Sequence, residues 1–531
     1  MTDADHIVIG GGSSGAALAH RLAKLRPRDR VVLLEAGTYD WSPFIHVPAA
    51  IIKAIGNKNL DWMHVAEPDP TRDGRSDLWP AGKVLGGSSS INGMLFVRGQ
   101  ASDYNRWAEA GCDGWSYADV LPIFKRLERT AIGDPDLRGR TGPMHIDRLR
   151  TVHPLAHTFI SAAKENGVPF NGDYNGASQV GVAYSQVTQT RGWRHHSARG
   201  YLWPGTKPRN LKIITRATAS GLTFDSDRCS GVTYRKGGER HTLKAAHGVT
   251  ISAGTMASPK LLMLSGIGPA EHLQELGIDV RRACDAVGRN LQEHPEGMVS
   301  IEVNQPTFNT EINSWKIVLH SINWLLFGRG PATSPYPHAV AFMASGGRGD
   351  QADVQVQLGP YAFTFDENGV IPHNKPAISA AVNIAYPKSR GRITLRTKQP
   401  EDGVRIDHKM FEAEEDLNDL IAACRSVREI LAGPAFAETR VAERMPGADV
   451  QSDDEWADFL RRTAFLGYHP VGTCRMGSDE NSVVTPDLKV RGVTGLRVAD
   501  ASIMPDLPSG NTNGTALMIG EKAADLIAAE C

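Results

Sequence analysis

Cysteine is scarce in this chain, with six among 531 residues. Cys112, Cys229, Cys284, Cys424, Cys474 and Cys531 are scattered, without the paired spacings of a disulfide framework or a zinc site. That excludes a cysteine-stapled scaffold, predicts no metal, and points to a reducing, cytoplasmic setting. An excess of charge of one sign is lacking too. Lys and Arg number 58 against 59 Asp and Glu, and no basic block stands out, which excludes nucleic acid as a partner. No apolar stretch reaches the roughly 20 residues that span a bilayer. Asp3 and Asp5 stand where a secretory leader would carry basic residues. Internal repeats and low-complexity tracts are also missing.

What is present begins at the amino end. The apolar run His6-Ile7-Val8-Ile9 leads into Gly10-Gly11-Gly12-Ser13-Ser14-Gly15, a helical stretch from Ala16 to Lys24, and a second apolar run, Val31–Leu34, ending on Glu35. The order is strand, glycine turn, helix, strand, acid. Gly10 permits the tight turn, Gly12 lets the backbone approach a pyrophosphate, and Gly15 lets helix and strand pack closely. Free N–H groups of Ser13 and Ser14 at the positive end of the helix suit the pyrophosphate. Glu35, followed by Ala36, lies where a carboxylate accepts hydrogen bonds from an adenosine ribose. Gly11-x-Ser13-x-Gly15 also spells a hydrolase nucleophile elbow. Too few residues precede it to build the sheet and oxyanion loop that such a serine needs.

At this length two or more domains are expected. Strand-like runs follow at Leu211–Thr215 and Gly248–Ser252, and short alternating strands such as Asp353–Gln357 and Arg392–Leu395 fill residues 300–410. Residues 413–433 and 454–463 read as helices. The chain returns to a βα pattern at Leu496–Asp500 and Ala516–Ala529. This predicts an α/β protein with a discontinuous Rossmann-like cofactor domain (1–155, 199–298 and 465–531). A second, α+β substrate domain on an antiparallel sheet takes 156–198 and 299–464.

Four further elements carry chemistry: the glycine cluster Gly82–Gly93, the turn Gly254–Gly268, the stretch Tyr468-His469-Pro470 to Gly477, and Asp500–Pro505 continuing through Asn511-Thr512-Asn513. With the first motif, in this order over nearly the whole chain, they resemble the glucose–methanol–choline (GMC) family of FAD-dependent oxidoreductases, most of all its choline dehydrogenase and bacterial alcohol dehydrogenase branch.

The resemblance implies FAD and oxidation of a primary alcohol to an aldehyde, the hydride passing to the flavin and the electrons then to oxygen, a quinone or another acceptor. Choline oxidation, a flavin-bound lyase of the same fold and a purely structural flavin binder are the alternatives. His469 is implied as the base, with Asn513 as the partner holding the alcohol oxygen. Val84, Gly87, Asn92 and Gly93 would run along the flavin, and Asp500, Ala501, Asn511 and Thr512 would meet its ribityl and ring. Ile91 stands where some relatives link FAD through a histidine, which implies noncovalent FAD. Glu296 matches a glutamate that faces the trimethylammonium group in choline oxidase, whereas Gln357 replaces a histidine of that enzyme. Trp315, Trp324 and Tyr336 are possible members of an aromatic cage, and His338 and Tyr468 are candidate pocket residues. Trp315, Val318, Leu319, Ile322, Leu325 and Leu326 recur at helical spacing and are expected to form a core face or pocket wall rather than a membrane contact.

Overall fold

The computed structural model describes residues 3–530 apart from 204, 312–314, 346, 348, 367 and 368. Cys531 therefore lies outside the described residues; the other five cysteines are free.

Ala4–Ile9 closes on the apolar run Ile7-Val8-Ile9 because there it is a strand buried on both faces. It pairs in parallel with Val31–Leu34 on one side and with the end of the long strand Glu239–Ile251 on the other. Leu211–Ile214 and Leu496–Val498 extend the sheet, also in parallel. Upstream, Glu239–Ile251 leaves this layer and forms an antiparallel arm with Arg228–Lys236 and Thr218–Asp225. The helix Ser13–Leu25 links the first two strands and packs along the helix Asn513–Glu530. Glycines permit its close packing on both sides, Gly15 against the preceding turn and Gly520 in the last helix. A Cβ on Gly15 would lie 1.9 Å from the Gly10 carbonyl oxygen, and one on Gly520 would lie 2.2 Å from that of Ser14. Ser14 Oγ donates to the Ala516 carbonyl at 2.6 Å, tying the two helices together.

The second sheet is antiparallel. Its strands run in the order Arg440–Met445, Pro295–Val303, Ala377–Ile384, Val354–Gly359, Ala339–Met343 and Gly181–Tyr184, with Phe465–Leu466 added beside Pro295–Val303. Pro295–Val303 crosses the boundary expected at residue 298, and Phe465–Leu466, expected in the cofactor domain, pairs with it. A hydrogen-bonded ladder does not divide in mid-strand, so the sheet itself draws the edge a few residues away.

The helices Pro154–Glu165, Glu414–Ala432 and Asp453–Thr463 contribute to the core on one face of this sheet. In Val354–Gly359, Val354, Val356 and Leu358 enter that core, so the alternation of a strand sends Gln355 and Gln357 to the other face. Glu296 pairs with Asn383 in the ladder, and Asn383 with Gln355. Three polar residues thus stand in a row across three neighbouring strands.

The helix Lys316–Phe327 departs from expectation. Trp315, Val318, Leu319, Ile322, Leu325 and Leu326 are all exposed, not set against a core. Only Trp324 is buried, its ring 4.2 Å from that of Trp193 and its Nε1 donating to the Gly192 carbonyl at 2.7 Å. The segment is apolar on almost every side, and the rest of the chain meets it on one.

Candidate active site

The amino-terminal glycine loop and the Gly82–Gly93 cluster interlock. Gly86 N–H donates to the Gly11 carbonyl at 2.7 Å, and Gly87 faces Gly12. Nothing but Gly87 lies within 4 Å of a Cβ built on Gly12, which leaves room for a diphosphate. No side chain caps the helix that Gly12 opens, so its first N–H groups suit an anion. The hydroxyls of Ser13 and Ser14 are engaged elsewhere: Ser13 Oγ donates to Asn513 Oδ1 at 2.7 Å, and Ser14 Oγ to the Ala516 carbonyl. Their backbone is what remains for a phosphate, and the contact to Asn513 gives Ser13 a structural partner in place of a catalytic base.

Glu35 is buried, and its carboxylate accepts from Gly11 N–H and Gly37 N–H, both at 2.7 Å. Burial pushes its pKa up to about 7 against the opposing pull of these donors. Lone pairs left on both oxygens can take ribose hydroxyls, and half-buried Ala36 lies beside it. Val84 and Ile91 share a small apolar cluster with Ile45, Ala54 and Leu60. Asn92 is held by fully buried Arg194, whose Nη1 donates to its carbonyl at 2.7 Å and its Oδ1 at 2.8 Å. A Cβ on Gly93 would stand 2.9 Å from the Tyr336 carbonyl oxygen, so glycine is needed where Tyr336 crosses this loop. The Asp500 carboxylate is taken up by Gly254 N–H, Ser258 Oγ and Ser502 N–H. It therefore ties a strand end to a helix start, and half-buried Ala501 follows it. Thr512 accepts through its carbonyl from Ala516 N–H. An uncapped helix, a buried carboxylate with open lone pairs and open space beside Gly12 together fit FAD.

The second cluster surrounds His469, and here one expectation is corrected. Asn511, not Asn513, meets His469: Asn511 Nδ2 lies 2.7 Å from His469 Nε2. Asn513 is the first residue of the last helix and its side chain is turned to Ser13. Asn511 precedes that helix and is free to point the other way.

Donors and acceptors around His469 run in one direction. His294 Nε2 lies 3.1 Å from the Ala385 carbonyl, which only accepts, so Nε2 carries the hydrogen. Burial holds the His294 pKa at about 4, so its Nδ1 is bare at neutral pH. His469 Nδ1, 3.0 Å away, must then be the donor. Burial, and after it the neighbouring His294, holds His469 well below the usual imidazole range. Its Nε2 is therefore an unprotonated lone pair facing the Asn511 amide. Asn511 Oδ1 accepts from Gln355 Nε2 at 2.9 Å, Gln355 Oε1 accepts from Asn383 Nδ2 at 3.3 Å, and Asn383 Nδ2 also donates to Glu296 Oε1 at 2.9 Å. The row from Glu296 to Ala385 admits one assignment of hydrogens.

Residue motifs alone missed much of this. Gln355, Asn383 and His294 orient the row. Glu293, fully buried, grips the backbone: its carboxylate accepts from His469 N–H at 2.7 and 2.8 Å and from His294 N–H at 2.8 Å. The clamp holds a strained turn, since Tyr468 sits at φ +61°. The available signal was three ionisable residues within Glu293–Glu296, at the start of a strand otherwise mostly buried and apolar.

The pocket candidates divide. Gln357 Nε2 donates to Glu296 Oε1 at 3.4 Å, and Tyr336 Oη donates to the Gln357 carbonyl at 3.0 Å. Both belong to the site. Half-buried Tyr468 adjoins His469 in sequence. His338 is committed elsewhere, its Nδ1 accepting from His153 N–H at 3.0 Å beneath the ring of Phe308. Trp315, 73 % exposed, and Trp324, packed on Trp193, form no cage with Tyr336.

A glycine turn suited to a dinucleotide, together with an unprotonated histidine beside an amide donor, is what an FAD-dependent oxidoreductase acting on CH–OH donors requires. GMC oxidoreductase family models match residues 4–296 and 387–520, and the chain belongs to that family. It is 40% identical over 528 residues to an oxygen-dependent choline dehydrogenase of Brucella suis biovar 1 (strain 1330), covering 99% of this chain and 95% of the relative. Among solved structures it resembles pyridoxine 4-oxidase from Mesorbium loti (TM-score 0.89, 29% identity, covering 98% of this chain and 99% of that one). It also resembles formate oxidase from Aspergillus oryzae RIB40 (TM-score 0.91, 25% identity, covering 99% and 98%).

Glu296 gives this site a measurable pH signature. Burial raises its pKa from 4.5 to about 7. The folded chain thus binds more protons at Glu296 than the unfolded chain between these values. Its favourable contribution is complete below pH 4.5 and fades as pH rises through 7. Glu296→Gln should therefore match wild-type stability near pH 4 and exceed it by on the order of 3 kcal/mol near pH 9. Denaturation curves recorded across this range would read it, and a constant offset between the two proteins would contradict it.

Proposed function

We propose that this chain oxidises a primary alcohol to its aldehyde, with His469 as the base and Asn511 holding the alcohol oxygen. The observation that carries this reading is the one-way hydrogen-bond row, which leaves His469 Nε2 bare beside an amide donor. Nε2 has one lone pair, so the alcohol O–H takes the place of the Asn511 N–H there, and the displaced Asn511 Nδ2 donates to the alcohol oxygen. FAD, when bound, supplies the two-electron acceptor that takes the carbon-bound hydride. As the C–H bond breaks, the hydroxyl proton passes to His469 Nε2. The resulting imidazolium keeps its Nδ1 hydrogen bond to His294, and the Asn511 N–H faces the oxygen on which negative charge develops. Gly10, Gly12, Gly15, Glu35, Gly87, Asn92 and Gly93 would hold the cofactor. Ile91, enclosed by aliphatic side chains, supports noncovalent attachment. Oxygen or another acceptor would then take the electrons, a reading supported by the oxygen-dependent relatives.

Glu296 favours a substrate that carries a positive charge. It is a buried carboxylate whose side-chain donors are the neutral amides of Asn383 and Gln357. A quaternary ammonium such as that of choline would supply the missing counter-charge, with Tyr336 as the one expected aromatic that stays at this site.

The first test is the visible spectrum of the purified holoenzyme as primary alcohols, choline among them, are added without oxygen. Bleaching of the oxidised-flavin band is expected; a band that no alcohol bleaches would shift weight to a lyase or a structural flavin binder. His469→Ala and Asn511→Ala should remain yellow yet reduce flavin at least ~100-fold more slowly, and near wild-type rates in either would refute its role. Glu296→Gln should lose far more kcat/KM for cationic alcohols than for neutral ones, so equal losses would remove charge recognition. Acid precipitation should leave the yellow colour in the supernatant; colour in the pellet would mean a covalent link.

A further inference from the structure

We propose that the helix Lys316–Phe327 seats this protein on an anionic phospholipid surface. The first observation is exposure. Trp315, Leu325, Leu326 and Phe327 are between 63 and 73 % exposed, and Val318 and Leu319 more than half. Exposed positions lie on nearly every side of the helix; Trp324 is its one buried side chain among the described residues, and half-buried His320 pairs with Glu311 at 3.2 Å. An apolar helix surrounded in this way calls for a medium that surrounds it. A flat protein face covers only one side.

The second observation is charge. No Asp or Glu occurs between Glu311 and Asp350, between Asp40 and Asp61, or between Asp173 and Asp225. These three acid-free segments meet at this place. Pro331–Thr333 packs against both the helix and Pro48–Ala50, the tilted ring of Trp193 lies against Trp324, and Arg194 Nε donates to the Ile45 carbonyl at 2.8 Å. The segment 41–60 adds apolar exposure of its own, with Trp41 80 % exposed and Phe44 and Ile52 beyond one-third. The cations carried here are Lys316, Arg329, Arg191, Lys53 and Lys58, all exposed. An apolar ridge set among cations, with acids excluded from three separate stretches of sequence, matches the acyl boundary and anionic headgroups of a bilayer.

Length decides how the helix sits. Twelve residues give about 18 Å of helix, against roughly 30 Å of hydrocarbon, and no helix among the described residues is long and apolar enough to cross a membrane. The helix lies in the interface.

The test is co-sedimentation of the holoenzyme with sucrose-loaded vesicles, of phosphatidylcholine alone or with roughly one-third phosphatidylglycerol. Binding to the mixed vesicles, weakened by salt, is expected. The double variants Leu319→Glu with Leu326→Glu, and Lys53→Glu with Arg329→Glu, should each partition at least ~10-fold less. Both should keep wild-type flavin spectra and alcohol-dependent bleaching in solution, which shows that the fold is intact. Wild-type protein that stays in the supernatant with mixed vesicles would overturn the proposal, as would variants that sediment like wild type. A wild-type dimer that the leucine variant converts to monomer, without vesicle binding, would assign the helix to a second copy instead. None of these outcomes depends on which alcohol is oxidised.

Discussion

A hydrogen-bond row that can run only one way governs the reactive end of this molecule. Carbonyl oxygens never donate, and burial keeps both histidines unprotonated at neutral pH. The Ala385 carbonyl therefore fixes the hydrogen on His294, His294 fixes it on His469, and His469 is left with one basic nitrogen. From the opposite end, Glu296, Asn383 and Gln355 fix the Asn511 amide so that its nitrogen faces that base. A carboxylate at one end and a peptide carbonyl at the other define the protonation pattern between them.

The antiparallel sheet is what makes the row possible. Glu296, Asn383 and Gln355 sit on adjacent strands in direct register, where cross-strand neighbours stand about 5 Å apart. The apolar alternates of the same strands are held under the three helices, so a shift by one residue would send the amides into the core. Packing on one face thereby fixes polar order on the other. The loop that carries His469 then leaves Phe465–Leu466 through Tyr468, in a left-handed conformation that Glu293 pins by the backbone N–H that follows it.

The parts legible in the sequence share one property: their physics is local. Ala4–Ile9, Ser13–Leu25 and Val31–Leu34 show in periodicity and glycine spacing, and the strands around 354 and 392 in alternation. What stayed hidden depends on contacts between distant segments. Asn511 and Asn513 are the same residue type, two positions apart, and both suit a helix start. Only the helix beginning at Asn513 decides which side chain turns to Ser13 and which to His469. Gln355 reads as the solvent side of an alternating strand, yet that side faces Asn511. The pattern 315–326 was legible as a helix, but periodicity reports only that a face is apolar, not whether the chain has anything to lay over it.

The pairing of the helices Ser13–Leu25 and Asn513–Glu530 has a consequence in time. Ser14 and Ala516, which share a hydrogen bond, are 502 positions apart. At the usual pace of a ribosome, the first strand–helix unit waits roughly 25–100 s for that partner to be made. Throughout that interval the small residues around Gly15 present an uncovered helix face in a crowded cell. For all of that time the face must stay apart from other chains, because exposed surface of this kind is what makes partly folded proteins associate.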